Sequence, residues 1–139
     1  MQLIIRKISQ KDQETVVEML QDISRFKPSI ENYKLIFKNF HDQKHVDGYV
    51  FLLENEIVGY GAVVYEIKIR GGKVGHIEDI VVSRKFRGKN IGIKIISHLT
   101  NVSKVIGCYK VSLVCKESNI KFYQNCGLEV DGSSMSFLF

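Results

Sequence analysis

Several common sequence features are missing from this chain of 139 residues. No apolar run approaches the ~18 residues that a membrane-spanning helix needs, so no membrane span is expected. Residues 1–7 place their charges after a very short apolar run, the reverse of a secretory signal peptide, and we therefore expect a cytoplasmic protein. The chain also lacks internal repeats, low-complexity tracts and linkers, which predicts a single domain over residues 1–139.

Residues that usually bind metals or form disulfides are few. The three cysteines (Cys108, Cys115 and Cys126) are an odd number without a CxxC pair, and their spacing fits no zinc pattern. Small buried thiols are therefore the expectation for them. The four histidines are scattered along the sequence, so we predict no metal site.

The remaining composition is that of an ordinary soluble globular protein, with 45% hydrophobic and 25% charged residues. Twenty basic residues against fifteen acidic ones leave a formal net charge of +5. This excess of positive charge favours an anionic partner. Nucleic acid and a polyanionic cofactor both satisfy that condition, and composition does not choose between them.

The periodicity of apolar residues predicts an α+β domain with a mixed sheet. Strands are predicted at 3–8, 49–53, 57–69, 74–82 and 109–115, and helices at 30–40, 91–106 and 118–126. A further helix is predicted after the cap candidates Ser9 and Asp12, with Val16, Met19, Leu20 and Ile23 on its buried face. Residues 41–48 are predicted to form an exposed loop. Met135, Phe137 and Phe139 alternate with other residues at the end of the sequence, and an exposed apolar edge is unfavourable. We therefore expect this segment to pair inside a sheet, either its own or one shared with a second subunit.

Residues 76–94 combine an apolar strand, a basic turn containing glycine and the start of a helix. Gly88 and Gly92 remove side chains where a phosphate would approach, and Asn90 can begin the helix. The helix N-terminus and the surrounding lysines and arginines add positive charge. The pattern predicts an anion site, although a solvated glycine turn is the alternative. No Gly-Lys-Ser/Thr sequence follows, so this is not a Walker A loop.

Two adjacent carboxylates, Glu78 and Asp79, lie within the strand before this turn. Neighbouring strand residues point to opposite faces, so they are not expected to act as an acid–base couple. Burial in an apolar run would raise the pKa of one of them and suit it to bind a cationic or hydroxyl-bearing substrate. The alternative is a carboxylate satisfied by the backbone or by a lysine. Tyr123 follows Asn119 by four residues on one helix face, where it could donate a proton or simply pack.

Residues 81–92 resemble the acetyl-CoA loop, Arg/Gln-x-x-Gly-x-Gly/Ala, of the GNAT superfamily of N-acetyltransferases, with Asn90 at the central glycine position. Residues 75–82 and 107–127 resemble the members of that superfamily that acetylate glucosamine 6-phosphate. The resemblance implies a GNAT fold, with a mixed, mostly antiparallel central sheet flanked by helices. It also implies acetyl-CoA as co-substrate without a metal, and N-acetylation of D-glucosamine 6-phosphate by direct attack of the amine on the thioester. The product would enter UDP-GlcNAc biosynthesis, and the enzyme would be a homodimer with shared active sites.

The resemblance also implies roles for individual residues. Tyr123 would protonate the departing thiolate, and Glu78 or a water would accept the amine proton. The acetyl-CoA site would comprise Ile80, Val81, Val82, Arg87, Gly88, Lys89, Asn90, Ile91, Gly92, Ile93, Asn119, Phe122 and Tyr123. The sugar phosphate would be bound by Ser24, Lys68, Glu78, Asp79, Ile80, Tyr109 and Lys110, of which Tyr109 and Lys110 would reach the site of the neighbouring subunit.

Two positions depart from the pattern of this family. Val114 occupies a position where an acidic residue is common, and Leu138 occupies the region of the usual phosphate-binding arginine. Phosphate binding would then depend on Lys110, on Lys68 or on basic residues of the N-terminal half such as Arg25 and Lys27.

Three other functions are compatible with parts of the sequence. An acetyltransferase of the same fold could act on a polyamine or a protein lysine. A basic nucleic-acid-binding module would need exposed aromatic residues between its basic ones, whereas the aromatics here fall mostly on buried stripes. A non-catalytic CoA-binding protein is the third possibility, and the presence of Tyr123 and Glu78 argues against it.

Overall fold

The computed structural model describes residues 2–139. Five strands form one sheet in chain order: β1 Ile4–Lys7, β2 Val46–Leu53, β3 Glu56–Ile67, β4 Lys73–Val82 and β5 Lys110–Ser112. The four helices are α1 Gln13–Leu20, α2 Tyr33–His41, α3 Ile91–Ile106 and α4 Ile120–Asn125. Pairing is antiparallel from β1 to β4 and parallel between β4 and β5. The predicted α+β domain with a mixed, mostly antiparallel sheet is confirmed.

Helices cover both faces of the sheet and divide the core into two clusters. On one face, α3 packs Ile95 and Leu99 against Phe51, Val63 and Ile77. On the other face, the α1 side supplies Val16 to a smaller cluster with Val50, Leu52, Tyr60, Ala62 and Val81. These residues are all less than one tenth exposed, so the central part of both faces of the sheet is shielded from solvent.

Two glycines of β3 allow α3 to lie close to the sheet. A Cβ at Gly59 would lie 2.8 Å from Ile95 Cδ1, and one at Gly61 would lie 2.9 Å from Leu99 Cδ1. Real Cβ atoms do not approach other atoms this closely, so any larger residue would have to displace these side chains of α3. This close packing fixes the N-terminus of α3 beside the end of β4.

Some element boundaries differ from the predictions. Residues 46–48 belong to β2 and not to a loop, because they pair with 62–64 of β3. β5 is shorter than predicted, since pairing with β4 ends at Ser112 opposite His76. The last segment pairs with no strand within residues 2–139, and Met135, Phe137, Leu138 and Phe139 are at least 82% exposed. The expectation that it pairs within its own sheet is therefore wrong, whereas pairing with a second subunit stays a prediction.

Residues 2–139 contain no helix with the length and apolar character needed to cross a bilayer.

Candidate active site

A β-bulge interrupts β4 at the two carboxylates. Tyr60 of β3 pairs with Val81 and Ala62 pairs with Glu78, so Asp79 and the residue after it lie opposite the single residue Gly61. Asp79 has a φ of 54°, in the left-handed region that aspartate and asparagine tolerate better than most residues. Because of the bulge, the regular alternation that predicted opposite faces does not apply here. Both residues are exposed at the surface, so the apolar run does not bury them as whole residues. The expectation that burial raises the pKa of one of the two carboxylates is met by Asp79.

Asp79 is the more perturbed of the two carboxylates. Although the residue is exposed at the surface, the protein packed around its carboxyl group raises the pKa of Asp79 by desolvation. The pKa of the buried Tyr60 is raised by burial and, to a smaller extent, by the charge of Asp79. Within residues 2–139, neither Glu78 nor Asp79 forms an ion pair or a side-chain hydrogen bond. Neither carboxylate is therefore satisfied by a lysine, and both remain open to a ligand.

The glycine turn, residues 87–92, follows β4 directly. A 3-10 turn, Arg84–Phe86, is anchored by the buried Phe86 and leads into Gly88, whose φ is 80°. Asn90 has a φ of 63° and stands at the N-cap of α3, which confirms its predicted place at the helix start. Glycine adopts this conformation freely and asparagine tolerates it, which explains how Asn90 can occupy the position.

Backbone donors at the glycine turn are free to bind an anion. The first intrahelical bond of α3 runs from the N–H of Lys94 to the carbonyl of Asn90 at 3.3 Å, so the N–H groups of Ile91, Gly92 and Ile93 have no acceptor in the helix. A Cβ at Gly88 would meet no atom within 4 Å, so the turn is open on that side. The positive end of the α3 dipole lies at the same point.

The strand edge beside this turn is also free. Only Val74, Gly75 and His76 of β4 pair with β5, so the two strands separate before the carboxylates. From the bulge to Val82, β4 therefore has a strand neighbour on one side only. The structure thus places the predicted cofactor residues Ile80, Val81 and Val82 on an unpaired edge that runs toward the glycine turn.

α4 closes the far side of this opening. A Cβ at Gly92 would lie 3.0 Å from Phe122 Cζ, so α4 contacts the start of α3. The rings of Phe122 and Tyr123 meet edge to face at 5.1 Å, and Asn119 is the exposed N-cap of α4. Tyr123 is partly buried against the core, and burial, followed by Cys115 and Cys126, raises its pKa. The cofactor residues predicted from separate parts of the sequence therefore border one opening.

Arg84 and Arg87, beside the glycine turn, are bound by the carboxylate of Asp22, a contact that the sequence did not predict. Arg84 donates to Asp22 through Nη2 at 2.7 Å and Nε at 3.1 Å, and Arg87 donates to the second oxygen at 2.7 Å. The hydrogen bond from Arg84, more than any other group, lowers the pKa of Asp22. Asp22 follows α1 and lies more than sixty residues from both arginines, so no local pattern could have revealed the contact.

The predicted substrate residues are not all in one place. Ser24 is exposed in the α1–α2 connection, where its hydroxyl accepts a hydrogen bond from the N–H of Phe26 at 3.2 Å. Lys68, Tyr109 and Lys110 lie instead at the other end of β4. Lys110 is in register with Val74, four residues before Glu78, which corresponds to about 13 Å along the strand. Within one chain, the carboxylates and this basic group are therefore separate.

The remaining predicted features add no ligand group to the opening. Val114 and Leu138 are exposed by 76% and 96%. Two surface depressions lie elsewhere, one beside Arg6 and Asp12 and the other beside Lys94 and His98. Residues 2–139 contain no group of three or more His, Cys, Asp or Glu side chains that could hold a metal ion.

Comparison with known proteins identifies the family to which this arrangement belongs. The model of the acetyltransferase (GNAT) family matches residues 14–128. The chain is 40% identical over 126 residues to glucosamine 6-phosphate N-acetyltransferase 1 of Dictyostelium discoideum, which covers 86% of this chain and 79% of that protein. It is also 40% identical over 99 residues to glucosamine 6-phosphate N-acetyltransferase of Arabidopsis thaliana, covering 67% of this chain and 66% of that protein.

Solved structures agree with the family match. The crystal structure of glucosamine-6-phosphate N-acetyltransferase from Arabidopsis thaliana superposes with a TM-score of 0.90 at 33% identity, over 100% of this chain and 99% of that chain. A predicted acetyltransferase from Clostridium acetobutylicum, solved with acetyl-CoA, shares the fold with a TM-score of 0.74 at 18% identity. Since the family model spans the chain from α1 to the residues after α4, this protein belongs to the acetyltransferase (GNAT) family.

Proposed function

We propose that this protein transfers the acetyl group of acetyl-CoA to the amine of D-glucosamine 6-phosphate. The observation that carries the proposal is the free edge of β4, which leads to the unpaired N–H groups of the glycine turn. Tyr123 lies on α4, which contacts the start of α3 through Phe122. The relatives named for this reaction support the choice of substrate. The product, N-acetyl-D-glucosamine 6-phosphate, would enter UDP-GlcNAc biosynthesis, and we expect the reaction to occur in the cytoplasm.

The residues of the opening fit acetyl-CoA. Backbone donors of the glycine turn, residues 87–92, suit a pyrophosphate, because free N–H groups and the helix dipole favour a bound anion. The unpaired edge formed by Ile80, Val81 and Val82 can exchange hydrogen bonds with the amides of the pantetheine arm, as an added strand would. Asn119 and Phe122 would border the arm from α4. The excess of positive charge in the chain favours the same polyanionic ligand.

The side chains near the end of β4 have distinct proposed roles. When bound, acetyl-CoA supplies an acetyl thioester, which a neutral amine can attack directly. Burial raises the pKa of Tyr123, so its hydroxyl keeps its proton at neutral pH and can donate it toward the thiolate sulfur. Glu78, or a water beside it, would accept the proton of the amine. Asp79 would orient the amino sugar through its amine and hydroxyls.

A homodimer with shared active sites completes the proposal. The exposed apolar residues at the end of the chain need a partner, since contiguous apolar surface of this kind is typical of protein interfaces. A second protomer would cover them and would also bring a basic group to each pair of carboxylates. Ser24 would contribute to the sugar site from the α1–α2 connection.

An acetyl-transfer assay that follows free CoA tests the function. Its amine panel would contain glucosamine 6-phosphate, glucosamine, a polyamine and a lysine peptide. We expect kcat/KM for glucosamine 6-phosphate to exceed that for glucosamine by about 100-fold, because a site built to bind a charged group discriminates strongly against a substrate without it. Equal values for these two sugars would overturn the assignment, and a preference for the polyamine or the peptide would identify the alternative acetyltransferase.

A further inference from the structure

A group of polar side chains at the tip of the β3–β4 hairpin lies outside the opening described above. This hairpin cluster consists of Lys68, Arg70, Tyr109 and Lys110. The turn is closed by hydrogen bonds from the N–H of Lys68 to the carbonyl of Gly72 at 2.7 Å and from the N–H of Gly71 to the carbonyl of Lys68 at 2.8 Å. The beginning of β5 brings Tyr109 and Lys110 against this turn, through a bond from the N–H of Tyr109 to the carbonyl of Lys73 at 3.0 Å.

The ring of Tyr109 packs directly on the turn. A Cβ at Gly72 would lie 2.5 Å from Tyr109 Cε1, so only glycine at this position leaves room for the ring. Arg70 Nη2 donates a hydrogen bond to the Tyr109 hydroxyl at 3.0 Å. This bond, with the charges of Arg70, Lys110 and Lys68, lowers the pKa of Tyr109. The turn and the strand therefore present a guanidinium and a phenol side by side.

In the described part of the chain, two of the three cations in the hairpin cluster, Lys68 and Lys110, are paired with carboxylates, whereas Arg70 is not. Lys68 pairs with Glu66 at 2.5 Å, and Lys110 pairs with Asp131 at 3.3 Å. Within residues 2–139, no carboxylate lies within ion-pair distance of Arg70, whose only side-chain partner is the neutral phenol. Most of the guanidinium fork is thus available, and it matches the geometry of a phosphate better than an ammonium does.

We propose that Arg70 binds the phosphate of the amino sugar, with the Tyr109 hydroxyl as the adjacent hydrogen-bonding group. This inference rests on the proposed function. Residues 122–139 contain no lysine or arginine, so they offer no cation for this purpose. Arg70 supplies the missing guanidinium from the β3–β4 hairpin.

The distance between Arg70 and the carboxylates favours action on substrate that is held by a second copy of the chain. β4 begins at Lys73, after the turn, and Glu78 lies five residues further on, about 17 Å along the strand. This separation is longer than one sugar phosphate. We therefore expect the hairpin cluster to reach the carboxylates of the other protomer in a dimer and not those of its own.

Steady-state kinetics of Arg70→Ala test the role in phosphate binding. We expect KM for glucosamine 6-phosphate to rise by about 50-fold, as for the loss of a charged hydrogen-bonding partner, while kcat/KM for unphosphorylated glucosamine and KM for acetyl-CoA stay unchanged. Inhibition by inorganic phosphate should weaken in parallel. Arg70→Lys should recover part of the loss, and Lys44→Ala, which removes an exposed cation from the α2–β2 loop, should match the parent.

The outcomes separate the two proposals. If the parent protein prefers glucosamine 6-phosphate over glucosamine and Arg70→Ala keeps that preference, the role of Arg70 is overturned while the proposed function stands. If the parent shows no such preference, the proposed function itself fails.

Mixed dimers test the assignment to the other protomer. Arg70→Ala and Asp79→Asn chains would be co-expressed and assayed at low glucosamine 6-phosphate, with each variant alone as control. If the sites are shared, a mixed dimer has one intact site, and random pairing should restore about a quarter of the parent activity. Absence of recovery, or a monomeric parent protein, would overturn action between subunits.

Discussion

At the scale of single residues, Tyr123 is the proposed acid because it lies on α4 beside the start of α3 and burial raises the pKa of its hydroxyl, which keeps its proton. Tyr123→Phe removes the proton and leaves the ring contacts with Phe122 in place. We expect kcat to fall by about 10- to 100-fold, with a much smaller change in KM for acetyl-CoA. Steady-state kinetics against pH would measure both effects. In the parent, kcat should fall at high pH with an apparent pKa above the ordinary tyrosine value. This fall should be absent from the variant.

Tyr33→Phe is the matched control, since Tyr33 is a buried tyrosine on α2 with no proposed role in the reaction. Its kcat should equal that of the parent. An unchanged kcat in Tyr123→Phe would remove Tyr123 from the mechanism.

The charge of Asp79 should lower the stability of the fold while it supports activity. Desolvation raises its pKa, so the carboxylate destabilises the fold above that pKa, and the penalty disappears as pH falls below the ordinary value of 3.8. Asp79→Asn removes the charge and keeps a residue that tolerates a φ of 54°. We expect a higher melting temperature at pH 7, a difference that shrinks as the pH falls through the raised pKa toward 3.8, and a fall in kcat/KM of about 100-fold.

Asp79→Ala separates the charge from the backbone conformation. Alanine also removes the charge but is strained at positive φ, so its melting temperature should lie below that of Asp79→Asn. A lower melting temperature for Asp79→Asn than for the parent at pH 7 would contradict the desolvation argument.

Local sequence predicted some site residues and missed others for a physical reason. The positions of Gly88 and Asn90 follow from short-range backbone preferences, and both were recognised. The contacts of Asp22 with Arg84 and of Arg70 with Tyr109 join residues 62 and 39 positions apart, so only the folded chain reveals them. The bulge at Asp79 depends on register with β3, which the sequence of β4 alone does not determine.

At the scale of elements, the contact between the α1–α2 connection and the glycine turn places a negative charge next to two arginines that could bind CoA. Asp22 holds Arg84 and Arg87, and its negative charge opposes that of a bound pyrophosphate. Asp22→Asn keeps an acceptor oxygen and removes the charge. We expect the Kd for CoA to decrease by about five-fold at low salt, as for one partly screened unit charge, and less at high salt. Isothermal titration calorimetry at two salt concentrations would measure this change.

Glu56→Gln provides the control for this prediction, because Glu56 pairs with Lys85 of the same 3-10 turn at 3.5 Å and does not contact either arginine. Its effect on Kd should be smaller. Weaker CoA binding in Asp22→Asn would mean that Asp22 serves mainly to order the arginines.

Element identity was more predictable than element length. The 3.6-residue stripe on α3 and the apolar runs of β3 and β4 are strong local signals, and those elements are where they were predicted. The end of β5 depends on where β4 diverges from it, and the start of β2 depends on the length of its partner β3. Both are properties of the sheet as a whole.

At the scale of the whole molecule, the C-terminal segment and the hairpin cluster both imply a second protomer. Met135, Phe137, Leu138 and Phe139 are almost fully exposed in one chain, and burying residues of this size is a large favourable contribution to association. We therefore expect the full chain to be a dimer and a chain ending at residue 132 to be a monomer. Analytical ultracentrifugation would measure the mass of each.

Kinetics of the shortened chain would connect assembly with the site. The monomer should bind CoA normally, because the opening between β4 and β5 lies within one chain. The sugar site should be incomplete in the monomer if the hairpin cluster of one protomer completes the site of the other. The kcat/KM of the monomer for glucosamine 6-phosphate should approach its value for glucosamine, since no second protomer then supplies Arg70. A shortened chain that stays dimeric would contradict the role of the C-terminal segment in association. A monomer that retained the preference for the phosphorylated sugar would show that one chain forms a complete site.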